Sequence, residues 1–254
     1  MEDETKASKT AIGALALRAL HQTVDPEPVY EDDVAVRLYA GVALGPAANR
    51  FDEDPAGSEA LRKHIAQRTV FAEERLRRAV LERGVGQYLV LGAGYDTFAY
   101  RQPEWARGLR IVEIDQPATQ HAKREALRLG GITVPGNVRF AAVDFERTPL
   151  REGLAQAGID LEKPVFFSWL GVTMYLTREA VEQTLATVAR LAGGTEIAFT
   201  FTRLGRSAAL GDRAAAAGEP WLTGFEDDEL SSLLHAVGFG TIEIDGPCAA
   251  AVVP

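Results

Sequence analysis

YLVLGAGYDT, residues 88–97, decides how the chain reads. A short apolar run ends in Gly92-Ala93-Gly94. A strand that is apolar at successive positions is buried on both faces, as in a parallel sheet. The two glycines let the backbone turn tightly and approach a ligand without Cβ clashes. Similar runs follow at LRIVEID (109–115), VRFAAVD (138–144), PVFFSWL (164–170) and TEIAFTFT (195–202), with GTIEID (240–245) as a last strand. Helical stretches lie between them at 117–130, 151–158 and 177–194, and another at 225–239. Strands alternating with helices predict βαβ units, hence an α/β doubly wound sheet over 84–254. LGRSAALGDRAAAAGEP (204–220) interrupts the pattern, and a lid is expected over about 203–222. Ahead of the sheet, AIGALALRAL (11–20) carries a helical stripe closed off by Pro26 and Pro28, and a charged amphipathic stretch ends near Gly84. Residues 1–83 are therefore expected to form a helical cap.

Composition narrows the function. The 254 residues are 46% hydrophobic and 25% charged, which suits a globular chain. Lys plus Arg number 27 and Asp plus Glu 36, so the net charge is 27 − 36 = −9. That sign repels phosphate backbones and anionic head groups, so neither nucleic acid nor membrane is an expected partner. Cys248 is the only cysteine, which excludes an intrachain disulfide and Cys-rich metal sites; no metal is expected. The start, MEDETKASKT, lacks the pattern of a secretory signal, and no run of about 18 apolar residues exists. A soluble, cytoplasmic protein is expected.

In open parallel sheets ligands bind outside the carboxyl ends of the strands, so the turn after residue 91 should carry the site. Gly92 and Gly94 can cradle a ligand, or simply make a tight turn. Thr97 stands where a dinucleotide fingerprint places its third glycine, which weakens the nicotinamide reading. Asp115 lies 115 − 94 = 21 residues after Gly94, where an acid can accept from both ribose hydroxyls of an adenosine. It can equally cap the helix opened by Gln116-Pro117. Glu113 shares its face of the strand. Asp144 can receive an adenine amino group and Phe145 can stack on the ring, although a capped turn fits Asp144 as well. Gly-x-Gly, Asp and Asp-Phe at three successive strand ends point to an adenosine-containing cofactor.

Three phrases, FAEERLRRAVLERGVGQYLVLGAGYDTFAYR, VEIDQPATQHAKR and FFSWLGVTMYLT, resemble the bacterial branch of the leucine carboxyl methyltransferase family, from about Ala11 to about Phe199. The resemblance implies a class I methyltransferase: a Rossmann-like sheet of order 3-2-1-4-5-7-6, S-adenosyl-L-methionine as cofactor, and methyl transfer to an oxygen of a small molecule or peptide, typically a carboxylate. It implies that Arg68 clasps the methionine carboxylate, that Gly92 and Gly94 form the cofactor loop with Asp96 bracing it, and that Asp115, Asp144 and Phe145 hold the nucleoside. The chain departs in two places. Leu170 stands where the family often has Glu, so either Thr173 or Tyr175 takes over its contact or the cofactor binds more weakly. The tail GPCAAAVVP is short, so the seventh strand is expected to be minimal.

An ionised carboxylate acceptor needs no general base. His21, His64, His121 and His235 all fall on predicted helices and read as helix-surface residues, His64 being nearest Arg68. Phe167, Trp169, Tyr175, Tyr95 and Tyr100 cluster near the expected methyl position, where aromatic faces attract a sulfonium. Tyr175 is assigned to acceptor positioning, Phe166 and Phe167 to the core, and Trp221 to either the acceptor cavity or lid packing. Two other readings stand beside this one: a nicotinamide-dependent oxidoreductase, and a non-catalytic S-adenosylmethionine-binding protein.

Overall fold

The structure, a computed structural model, describes residues 7–45, 59–143, 150–203 and 208–254. Asp144 and Phe145 lie outside the described residues, as do 204–207 of the expected lid. Seven strands form one sheet: β1 Gln87–Leu91, β2 Arg110–Asp115, β3 Val138–Ala142, β4 Phe166–Trp169, β5 Glu196–Thr200, β6 Thr241–Asp245 and β7 Cys248–Val252, in the order β3-β2-β1-β4-β5-β7-β6. The first five run parallel, and β7 enters antiparallel between β5 and β6. The order reverses between β1 and β4, which puts the ligand crevice at their carboxyl ends.

The expectation of a minimal seventh strand is corrected: β7 pairs with β5 over its five residues and with β6 as a hairpin. The run CAAAV has no large side chain and no strand-like alternation, yet small apolar residues suit a strand covered on both faces. In keeping with the lack of a helical stretch there in the sequence, no α-helix follows the glycine loop. Two 3₁₀ turns, Phe98–Tyr100 and Glu104–Ala106, lead directly to β2. The aromatic residues there have no helical period, and Pro103 cannot donate in a helix interior.

The helix layer on that side comes instead from before the sheet. Helix α3, Glu59–Arg83, lays Ala72, Leu76 and Ala79 against Tyr88, Val90, Phe166 and Ala198. It is fixed by the fully buried Glu196 of β5, which pairs with Arg75 at 2.6 Å and with Arg83. Helices α1, Lys9–Thr23, and α2, Asp33–Leu44, pack with α4, Pro117–Leu129, around Leu38, Tyr95 and Leu127. The opposite face is covered by α5, Leu150–Gln156, α6, Arg178–Val188, and α8, Asp227–Val237, over a core that includes Phe167, Trp169 and Phe199. Helix α7, Ala208–Ala216, lies in the expected lid.

Candidate active site

The glycine loop is shaped by steric demands from both sides. Gly92 has φ +61° and Gly94 φ +46°. A Cβ on Gly92 would stand 2.5 Å from Val172 Cγ2, so the loop after β1 and the loop after β4 touch there. A Cβ on Gly94 would stand 3.3 Å from Ala11 Cβ, so α1 roofs the loop.

Asp115, at the end of β2, braces this loop. Its carboxylate accepts from the Gly94 amide and, at 2.7 Å, from the Gln116 amide. The capping role expected for Asp115 is corrected: Gln116 is itself the N-cap of α4, and no side chain caps that end. Burial lifts its pKa above the usual carboxylate range, only partly opposed by the two amides and by Lys123. A carboxylate offers about four lone-pair sites, and two amides leave acceptor capacity for further donors. Asp96 accepts from the Phe98 amide at 2.9 Å, which stabilises the turn out of the loop. Glu113 faces the same way as Asp115 and is fully buried, ion-paired to Lys123 at 2.6 Å and accepting from Tyr100 Oη at 2.8 Å.

Arg68 lies across the crevice on α3. Gly171 has φ +73°, and a Cβ there would stand 2.7 Å from Arg68 Nη1, so the guanidinium is packed onto the backbone after β4. Burial, then the nearby charge of Arg18, lowers its pKa. Among the described residues no carboxylate forms an ion pair with it; the groups that favour its charge are Tyr175, Cys248 and Tyr30. The half-buried cation, with no described carboxylate beside it, is suited to an incoming anion. The planar fork fits a carboxylate. Tyr175 stands in a 3₁₀ turn, Thr173–Tyr175, and is half-buried. The structure therefore brings Gly92, Gly94, Asp96 and Asp115 together on one side and Arg68 and Tyr175 on the other, joined by the contact of Gly92 with Val172.

Leu170 packs among the apolar residues under α3. The Thr173 hydroxyl donates to the Thr200 carbonyl at 2.7 Å, so its proton is committed to β5. Tyr95, Phe167 and Trp169 are core residues; Tyr100 and Tyr175 are both half-buried, and the Tyr100 hydroxyl is committed to Glu113. The helix-surface reading of the histidines fails for His21, which is fully buried. The Val29 amide donates to its Nε2 at 2.8 Å, which fixes a proton on Nδ1 that is directed at Asp25, 2.6 Å away. His64 is half-buried; burial and then Arg68 push its pKa down.

One polar network was not foreseen. Thr97 is fully buried, and its hydroxyl donates to Asp32 Oδ2 at 2.6 Å while accepting from Arg18 at 2.6 Å and Arg101 at 3.2 Å. Arg101 also pairs with Glu73. Burial opposes ionisation of Asp32, but Arg18, Arg101 and Thr97 outweigh it and hold the pKa below the usual range. Asp32 also caps α2 through the Ala35 amide at 2.9 Å. The position of a missing third glycine is thus the bolt between loop and roof. Asp32 ahead of an apolar run is a readable N-cap signal; Glu73 and Arg101 carry none.

The profile of the leucine carboxyl methyltransferase family matches residues 11–189. The Bacillus subtilis protein YktD, whose name assigns it provisionally to the S-adenosyl-L-methionine-dependent methyltransferases, is 29% identical over 92% of this chain and 87% of its own. A Streptomyces coelicolor relative named in the same way is 30% identical over 88% of this chain and 80% of its own, and a Mycobacterium avium relative 33% identical over 74% and 62%. In fold, the chain is similar to a DUF574 family protein of Streptomyces avermitilis (TM-score 0.61, 15% identity, 99% of both chains). It is also similar to human N-acetylserotonin methyltransferase in complex with SAM (TM-score 0.53, 15% identity, 96% of this chain and 66% of the other). The sheet order, the match of one profile to more than two thirds of the chain and the level of identity agree: the chain belongs to the leucine carboxyl methyltransferase family.

Proposed function

We propose that the chain binds S-adenosyl-L-methionine at the carboxyl ends of β1, β2 and β4 and transfers its methyl group to a carboxylate of a small molecule or peptide. The observation that supports this reading is Arg68: a half-buried guanidinium that no carboxylate pairs with among the described residues, packed on Gly171 after β4. The residues fit the cofactor. Arg68 would receive the methionine carboxylate as a bidentate fork, and the remaining lone pairs of Asp115 would accept from the ribose hydroxyls. Asp144 and Phe145 are proposed for the adenine end.

When bound, the cofactor supplies an electrophilic methyl on a sulfonium. The protein's part is positioning. The glycine loop lets the backbone come close and α1 roofs it; aligning the acceptor and keeping water from it would supply most of the acceleration. Tyr175 is proposed to orient the acceptor. Its hydroxyl can donate to an acceptor oxygen, and its ring face can attract positive charge. No base is required, because a carboxylate is ionised at neutral pH.

The experiment follows methyl-labelled S-adenosylmethionine into product, with peptides and amino acids bearing free carboxylates offered beside phenols and amines. A methyl ester releases its label as methanol on mild alkali. Base-labile product is expected. Label stable to alkali would place the methyl on a phenol or nitrogen and overturn the carboxylate reading.

A further inference from the structure

We propose that residues 219–223 form a strap that closes over the cofactor crevice, and that Glu219 is its latch. The inference rests on the cofactor reading above and extends it to how the ligand enters and leaves.

Helix α7 ends in a Schellman turn: the Gly218 amide (φ +86°) bonds the Ala215 carbonyl at 2.9 Å and the Glu219 amide bonds the Ala214 carbonyl at 2.9 Å. This turn delivers the Glu219 carboxylate to the start of α1. There it accepts from the Lys9 amide at 2.8 Å, the Ser8 hydroxyl at 2.9 Å, the Thr10 amide at 3.4 Å and the Thr10 hydroxyl. The first amides of a helix have no partners within it and favour a negative group. Helix α1 has no acidic residue in its own first turn, so the lid supplies one.

Three residues on, the strap is pinned again. The Leu222 and Thr223 amides bond the Met174 carbonyl at 2.6 and 3.3 Å, and the Thr223 hydroxyl bonds the Leu176 carbonyl at 2.6 Å. The two anchors lie on opposite banks. The start of α1 stands over Gly94 and bonds Thr119 of α4 through the Ser8 amide. Met174 belongs to the turn that carries Tyr175. A segment tied to both must cross the crevice between Asp115 and Arg68. Trp221 lies mid-span against Gly211 of α7, with its indole nitrogen buried and unpartnered among the described residues.

The rest of α1 is bolted to the loop through Arg18, Thr97 and Asp32. Releasing Glu219 therefore frees the first turn of α1 and the strap and leaves the roof in place. Opening must precede exchange of a ligand held beneath.

The test is stopped-flow binding of S-adenosylhomocysteine to the full chain, read by tryptophan fluorescence, for wild type, Glu219→Gln and Glu219→Ala. Losing several hydrogen bonds to a carboxylate is expected to raise both association and dissociation rates about tenfold or more in Glu219→Ala, with a smaller change in Kd. Glu219→Gln, which keeps one acceptor oxygen, is expected to fall between. Hydrogen exchange of the unliganded proteins reads the latch independently: peptides covering residues 8–12 and 219–225 should exchange faster in Glu219→Ala, while β1 is unchanged. Wild-type rates in both variants, or unchanged exchange in the two peptides, would overturn the latch. No binding to wild type would instead remove the cofactor reading, and the strap's role in ligand exchange with it.

Discussion

Arg68 illustrates the conflict between stability and function at a single residue. Its guanidinium is half-buried against Gly171, no carboxylate among the described residues pairs with it, and desolvation lowers its pKa. Replacing it by Met removes a partly desolvated cation that no described carboxylate compensates. Arg68→Met is therefore expected to raise the melting temperature of the unliganded protein, by an amount equivalent to about 1 kcal/mol. The same variant should lose S-adenosylhomocysteine affinity by about 1.5–3 kcal/mol while binding adenosine as before. Thermal melts and calorimetry with the two ligands check both halves; equal loss for both ligands contradicts the carboxylate role. Gly92, Gly94 and Asp115 were legible in the sequence because their chemistry is local: a glycine pair ends one apolar run and an acid ends the next. Arg68 was not legible from pattern alone, because α3 is crowded with arginines and only the family resemblance singled it out.

At the scale of elements, one hydroxyl sits at the centre of the polar ties between the roof and the glycine loop. Thr97 links the loop after β1 to α1 through Arg18, to α2 through Asp32 and to α3 through Arg101, itself paired with Glu73. Valine has the same shape and neither donor nor acceptor. Thr97→Val is expected to cost about 1–3 kcal/mol of stability in urea denaturation, with Thr97→Ser close to wild type; a neutral Thr97→Val would mean the network is not what joins these elements. This network was hidden from the sequence because its members come from four separate segments, and no spacing rule relates them. The missing helix after β1 is the converse case. The sequence shows no helical stretch there, and α3 already covers that face of the sheet, so short 3₁₀ turns suffice. The seventh strand was misjudged because alanines carry little strand signal, and what makes them a strand is the space between β5 and β6.

At the scale of the molecule, a chain of net charge −9 keeps a few cations inside, among them Arg18, which is spent on Thr97, Asp32 and Asp96. The acid stability of the whole should depend on one buried group of the helical region. Arg62 and His21 hold the Asp25 pKa down at about 2, below its ordinary 3.8. A carboxylate with a lowered folded pKa contributes stability that is present above the unfolded value and lost as pH falls through the folded one. Denaturation from pH 5 to 2 should show that loss between about 4 and 2 in wild type, and a shallower slope in Asp25→Asn; parallel curves would contradict it. The doubly wound layers were legible because strands alternate with helices, whereas the strand order came only from the family resemblance. The way the lid meets α1 was not, because Glu219 and Ser8 lie at opposite ends of the chain.

The central claim is that Asp115 and the glycine loop grip the nucleoside of a cofactor whose carboxylate reaches Arg68. Calorimetric titration of S-adenosylhomocysteine into wild type and Asp115→Ala, with circular dichroism to confirm the fold, tests it most directly. The account predicts saturable binding to wild type, weakened in Asp115→Ala by about 1.5–3 kcal/mol for each bond lost from the carboxylate. No binding heat with wild type, or equal affinity in the two proteins, would contradict it.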